Sequence, residues 1–487
     1  MSKSRFVRAL AALALLPVLA LANEKFTIIH LNDTHGQIEP IKVRSGETYG
    51  GLARIAYLVD SLRKSAEESG STLYFLHAGD ATQGTPLSNI SGGRLDTELF
   101  NEMGLTAMCL GNHEFDFGTG NLDSAMAVAK FPMLSANIVD ASGKRPYQAF
   151  VEKKVGRQRV LIVGMTTEYA GVSTNPDNVR GLSFLPADSV LAFLLDSLKY
   201  GDKDLIIAVS HRGWEADSAL ALTEPRVDVI VGGHTHAILE EPTKIGNALI
   251  VQIGAKGIIL GKLDFDVKKG KVVGYSGDLL EVSDSTPSDP KMTAEIAAAS
   301  AELERKIGGR IGSTEVALVR GIGIDSSDVR SFGDLLAELM RNETNSDVAF
   351  TNQGGVRADI LPGDVSMKDV LAAIPFQNTI VTMELTGSEL QVVLDNNVTI
   401  GPNAGGSLHL AGITYTPKDG KAADVKVNGV TLDPIKTYRI ATNSFLAAGG
   451  DGYEMLKSAR NIYDTGTLDN VIFTNYLKKV GTIKNTP

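Results

Sequence analysis

Between Phe26 and about Val282 the chain alternates short aliphatic runs with polar or amphipathic stretches. The runs are Phe26–Leu31, Leu73–Ala78, Thr106–Leu110, Val160–Met165, Leu205–Ser210 and Val227–Val231, most of them ended by Gly, Asn, Asp or His. Runs of this length and character predict strands buried on both faces. Between the first two, Leu52–Glu68 places Leu52, Ile55, Ala56, Leu58, Val59 and Leu62 at helical spacing. Strand and helix in alternation predict an α/β domain of stacked layers.

The pattern breaks at residues 283–290, Ser-Asp-Ser-Thr-Pro-Ser-Asp-Pro. Met292–Ile307 then reads as an Ala- and Glu-rich helix stopped by Gly308-Gly309. This predicts a first domain over 23–285, a linker helix within 286–311 and a second domain over 312–487 with a helix near Phe332–Arg341. Prolines before the linker helix and glycines after it make it the candidate hinge. At the other end, Lys3, Arg5 and Arg8 precede the apolar run Ala9–Leu21, and Ala20-Leu21-Ala22 fits a small-x-small cleavage site. Residues 1–22 therefore read as a signal peptide and predict an exported protein, periplasmic in a Gram-negative cell or secreted otherwise. No later segment reads as a membrane span.

Composition acts by exclusion. Of 487 residues, 43% are hydrophobic and 21% charged, which excludes disorder as the dominant state. Cys109 is the single cysteine, so no intrachain disulfide can form. The net charge of −10, or −13 once the three cations of the leader are gone, argues against a nucleic-acid polymer as partner.

The chemistry lies just past the strand ends. Asn32-Asp33-Thr34-His35 follows the first run, Gly79-Asp80 the second, and Gly111-Asn112-His113-Glu114-Phe115-Asp116 the third. His211 ends a later run, and Gly232-Gly233-His234-Thr235-His236 follows the last. Carboxyl ends of strands form the ligand-binding edge of an α/β fold, so five loops are expected to converge. Five of the eight histidines fall in these groups, whereas His30, His77 and His409 lie outside them and read as structural. Carboxylates, an Asn carbonyl and imidazoles suit first-row divalent ions such as Mn, Zn, Co or Fe. The donors suffice for two ions, with Asp80 placed to bridge them. Such a pair, about 4 Å apart, shares a hydroxide for in-line attack on phosphorus.

These motifs resemble the dinuclear calcineurin-like phosphoesterase signature, and their particular forms resemble the exported 5′-nucleotidase family, which includes UDP-sugar hydrolases and 2′,3′-cyclic-nucleotide phosphodiesterases. The resemblance implies a layered α/β/β/α metallophosphoesterase domain joined to a second, α+β, nucleotide-binding domain. It implies one divalent metal ion on Asp33, His35, Asp80 and His236, and a second on Asp80, Asn112, His211 and His234. It assigns catalysis to His113, with Asp116 orienting its imidazole, and leaves Glu114 as a supporting residue of the loop.

The second half carries Asn352-Gln353-Gly354-Gly355-Val356-Arg357, Pro375-Phe376-Gln377-Asn378 and Asn443-Ser444-Phe445 through Asp451-Gly452-Tyr453. Paired aromatic rings can sandwich a base, a carboxylate can accept from ribose hydroxyls, and an arginine can fork onto phosphate. By the same resemblance Phe376 and Phe445 are base-stacking residues. Asn352, Arg357, Asn378 and Asp451 are polar contacts, and Arg330 is a weaker match because the stretch before Gly333 is shorter than in the family. The activity implied is metal-dependent hydrolysis of nucleotide phosphate esters, chiefly of nucleoside 5′-monophosphates. UDP-sugar hydrolysis and 2′,3′-cyclic phosphodiester cleavage on the same site remain open, and a non-catalytic nucleotide receptor is the remote alternative.

Overall fold

The computed structural model describes residues 23–43, 46–201, 203–326, 328–402 and 404–484; the signal-peptide reading of residues 1–22 lies outside them. The aliphatic runs of the first half become strands of two six-stranded sheets. One sheet orders Lys271–Glu281, Ile259–Lys268, Glu24–Leu31, Thr72–His77, Ala107–Cys109 and Met133–Leu134. The other orders Thr243–Ile245, Ala248–Val251, Val229–Gly232, Leu205–His211, Gln158–Thr166 and Phe150–Val155. In each sheet the strands that deliver polar loops pair in parallel, which sends their carboxyl ends the same way.

Alternation of side chains across each strand builds three apolar layers. Phe26, Ile28, Tyr74 and Leu76 meet Val160, Ile162, Leu205 and Ile207 between the sheets. Ile29, Leu31 and Phe75 face outward onto Ile55 and Val59 of the helix Leu52–Ser69, with Met292 and Ile296 of the helix Pro290–Ile307 in the same cluster. On the far side, Leu161, Ile206 and Ile230 pack with Leu191 and Leu195 of Ala187–Ser197 and Leu220 of Trp214–Thr223. The arrangement is α/β/β/α.

Two features depart from the periodic reading. The long hairpin Ile259–Lys268/Lys271–Glu281 turns at Lys269-Gly270, both in the left-handed region that favours two-residue hairpin turns, and its exposed outer strand carries no aliphatic run to announce it. The strand at residue 229 begins after Asp228, whose carboxylate accepts from Ile206 N at 2.9 Å on the neighbouring strand.

The second half centres on a five-stranded sheet in the order Leu408–Ala411, Val348–Asn352, Thr437–Asn443, Thr379–Thr386, Arg460–Leu468. Phe332, Leu335, Met340, Phe473 and Leu477 cover one face; Leu390, Val393 and Leu394 form a second core with Phe350, Met383 and Ile440. The helix Pro290–Ile307, N-capped by Asp289 accepting from Met292 N at 2.7 Å, links the halves. Between them opens a cleft of about 990 Å³.

Candidate metal centre and substrate cleft

Strand ends from both sheets converge at the cleft. Asp33, His35, Asp80, His234 and His236 each sit with φ between 47° and 76°, a left-handed backbone that costs roughly 1–3 kcal/mol per residue and gathers at functional sites. The loops that bear them are woven together. Asp33 N donates to Gly79 O at 3.0 Å, His35 N to Asp80 O at 2.9 Å, and His234 N to Asp33 Oδ2 at 2.9 Å. Gly111 crosses so close to the Asp80 carboxylate that a β-carbon there would overlap it. Glu114 binds the same loops from below, its carboxylate accepting from Asp80 N at 2.9 Å, Ala81 N at 2.8 Å and Gly111 N at 2.7 Å.

Three donor groups result: Asp33–His35–His236, His35–Asp80–His113 and Asp80–His211–His234, with the ligand atoms in each within 4.8 Å of one another. His236 Nε2 lies 3.0 Å from His35 Nε2 and 3.4 Å from Asp33 Oδ1; His211 Nε2 lies 3.1 Å from Asp80 Oδ2. Asn112 Oδ1 is buried with no hydrogen-bond partner. His211 Nδ1 is engaged by Ala78 O at 2.7 Å, which turns Nε2 to the centre. Converging imidazoles and carboxylates around unsatisfied buried atoms fit divalent cations.

The electrostatics agree for most of the imidazoles. Burial holds His35 well below its ordinary value and takes His234 to about 4, so both are neutral donors. Burial also opposes charge on His211, but Asp80 outweighs it and lifts His211 to about 10. The gap that attracts a proton between these atoms is one a divalent cation can fill.

His113 differs from the other histidines. Its Nδ1 is 2.5 Å from Asp116 Oδ2, and Asp116 Oδ1 accepts from Thr174 Oγ1 at 2.6 Å. Burial disfavours the imidazolium, yet Asp116 and Asp80 outweigh it and raise His113 above its usual value. His30, His77 and His409 are buried away from the cleft; His77 Nε2 meets Thr34 Oγ1 at 3.0 Å and His409 Nδ1 meets Asp334 at 2.7 Å.

Across the cleft stand Asn352, Arg357, Phe376, Asn378, Phe445 and Asp451. The Phe376 ring lies 6.1 Å from the His113 ring, with the Arg357 guanidinium 5.9 Å from its centroid. Asn352 Nδ2 donates to Asp451 Oδ2 at 2.8 Å, and burial raises the Asp451 carboxyl to about 6. Arg330 is not with them: it lies outside the cleft, paired with Glu338 Oε2 at 2.8 Å on the helix Phe332–Thr344. The arginine that lines the cleft together with Arg357 is Arg320, at the head of a loop held by Gly323 N donating to Asp334 Oδ2 at 2.8 Å. Nothing in the spacing before Gly333 distinguishes the two; the chain after Arg320 turns through Gly321 and Gly323, both at positive φ.

Fold and donor cluster together define a metallophosphoesterase. Residues 26–237 match the calcineurin-like phosphoesterase family and residues 310–458 match the 5′-nucleotidase C-terminal domain. The chain belongs to the 5′-nucleotidase family of metal-dependent hydrolases. It is 32% identical to a 5′-nucleotidase of Vibrio cholerae over 93% of this chain and 90% of that one. It is 30% identical to protein UshA of Escherichia coli over 96% and 95%. Its fold superposes on a 5′-nucleotidase precursor of Thermus thermophilus with a TM-score of 0.82, at 30% identity and covering 95% and 98% of the two chains. No described helix is long and apolar enough to cross a membrane.

Proposed function

We propose that this protein is an exported hydrolase of nucleotide phosphate esters, acting chiefly on nucleoside 5′-monophosphates. The observation that carries the reading is a single cleft with the donor cluster on one wall and Phe376, Phe445 and Asp451 on the other. The relatives named 5′-nucleotidase support the same substrate class. Asp33, His35, Asp80 and His236 are proposed to hold one divalent ion, and Asp80, Asn112, His211 and His234 the other. Two such ions supply Lewis acidity to the phosphoryl oxygens and an acidified water.

The remaining steps belong to side chains. Arg357 and Arg320 bind phosphate oxygens through their forked donors. Asp116 holds the proton on His113 Nδ1, so that Nε2 presents an N–H toward the phosphoryl group and the departing 5′ oxygen. Phe376 and Phe445 stack the base, and Asp451 accepts from the ribose hydroxyls. The domain division at 23–285, 286–311 and 312–487 follows this split between a chemical wall and a substrate wall. Mature protein reconstituted with Mn or Zn and assayed on AMP, UDP-glucose and 2′,3′-cAMP is expected to turn over AMP with the highest kcat/KM. A preference for either of the others would transfer the reading to that reaction, and no hydrolysis of any would overturn it.

A further inference from the structure

Beside the cleft, two side chains of the first half donate to main-chain oxygens of the second. Lys256 Nζ donates to Arg357 O at 3.5 Å, and Asn89 Nδ2 donates to Pro375 O at 3.2 Å. Each donor sits on a segment tied to the donor cluster, Lys256 on a loop and Asn89 in the short helix Pro86–Ser91. Lys256 N donates to Asp33 O at 2.7 Å from a left-handed backbone, φ 61°, and Asn89 Oδ1 accepts from Gly84 N at 3.0 Å on the Asp80 loop. Each acceptor belongs to the substrate wall: Arg357 itself, and Pro375 next to Phe376.

Lys256 does more than tether. It is half-buried, it makes no ion pair among the described residues, and the charged groups that act on it are Arg357, Arg320 and Asp359. An ammonium facing two guanidiniums, with Asp359 the one carboxylate acting on it, is unfavourable in a folded protein unless it is put to use. Its hydrogen bond fixes the Arg357 main chain, while its charge repels the Arg357 head group. The guanidinium lies where both constraints leave it, with Nη2 3.3 Å from His35 Nδ1 and the fork near the Phe376 ring. We propose that Lys256 is a positioning residue that aims Arg357 at the phosphate over the donor cluster, and so serves phosphate binding rather than nucleoside binding. This rests on the reading that a phosphate occupies that place.

Lys256→Met keeps the aliphatic stem and removes the charge. It is expected to raise the Ki of inorganic phosphate and the KM of AMP about tenfold, as loss of one charged hydrogen bond would, with kcat and the Ki of adenosine nearly unchanged. Lys256→Arg is expected to recover most of the phosphate affinity. Asn89→Ala, which frees the Phe376 loop, should weaken adenosine and leave phosphate alone. Unchanged phosphate affinity in Lys256→Met overturns the proposal. So does parallel loss of phosphate and adenosine binding in both variants, which would make Lys256 part of general interdomain packing. Should Lys256→Met not fold, Lys256→Gln is read by the same criteria. Calorimetric phosphate binding to the Mn-loaded protein decides the matter independently of turnover, so a wild type that hydrolyses no nucleotide would sink the functional reading and leave this test standing.

Discussion

His113 and Asp469 illustrate two uses of a buried titratable side chain. His113 is tied to Asp116 at 2.5 Å and faces the donor cluster. His113→Ala is expected to lower kcat by about 10²-fold or more while metal content is retained, because general acid–base and charge terms of this kind are that large. Elemental analysis beside steady-state kinetics checks both halves of the statement. Asp469, at the start of the helix Asp469–Val480, is almost fully enclosed, and burial pushes its carboxyl from 3.8 up to about 8. Its folded value is raised, so between those two pH values the folded chain keeps a proton that the unfolded chain has released. Stability therefore falls as pH rises through that interval and levels off above it. Asp469→Asn should flatten this fall, measured as the change in denaturation midpoint from pH 5 to pH 8. At this scale the sequence is a good guide to residue type and a poor one to direction. Asp-x-His and Gly-Asn-His-Glu-x-Asp were legible because spacing alone puts them at strand ends, whereas the choice between Arg320 and Arg330 depends on a turn whose geometry no spacing reveals.

Loops, more than strands, carry the organisation at the level of elements. Glu114 collects main-chain N–H groups from Asp80, Ala81 and Gly111 into one carboxylate. Glu114→Ala would orphan these donors in a closed interior at about 1–3 kcal/mol each, so a melting temperature lowered by several degrees together with weakened metal retention is expected. Differential scanning calorimetry with and without Mn measures both effects. On the substrate wall, a β-carbon at Gly450 would run into the Phe445 ring. Gly450→Ala should raise the KM of AMP several-fold and leave p-nitrophenyl phosphate, which has no base, nearly unaffected. The buried parallel strands and the amphipathic helix Leu52–Ser69 were readable from aliphatic runs and helical spacing. The hairpin Ile259–Lys268/Lys271–Glu281 was not, since its outer strand is largely solvated and shows no aliphatic run.

Taken whole, the molecule places a cluster of imidazole and carboxylate donors from two sheets across a cleft from Phe376, Phe445 and Asp451 of a distant part of the chain. Divalent cations that bind only the folded arrangement must stabilise it, so chelation by EDTA should abolish hydrolysis and lower the melting temperature, with Mn restoring both. Thermal shift in a metal titration tests this without any substrate. Convergence of the loops was inferable from the rule of strand ends and their origin in two stacked sheets from the family resemblance, but the contacts of Lys256 and Asn89 with the opposite half depend on long-range packing that local patterns do not encode. Cys109, meanwhile, lies wholly within the strand Ala107–Cys109, and burial drives its thiol far above the ordinary range. A thiol so protected is chemically silent under labelling conditions. Pairs of cysteines introduced on the two faces of the cleft could therefore take fluorophores or spin labels without background, and the gap between the halves could be followed in real time on an otherwise native enzyme.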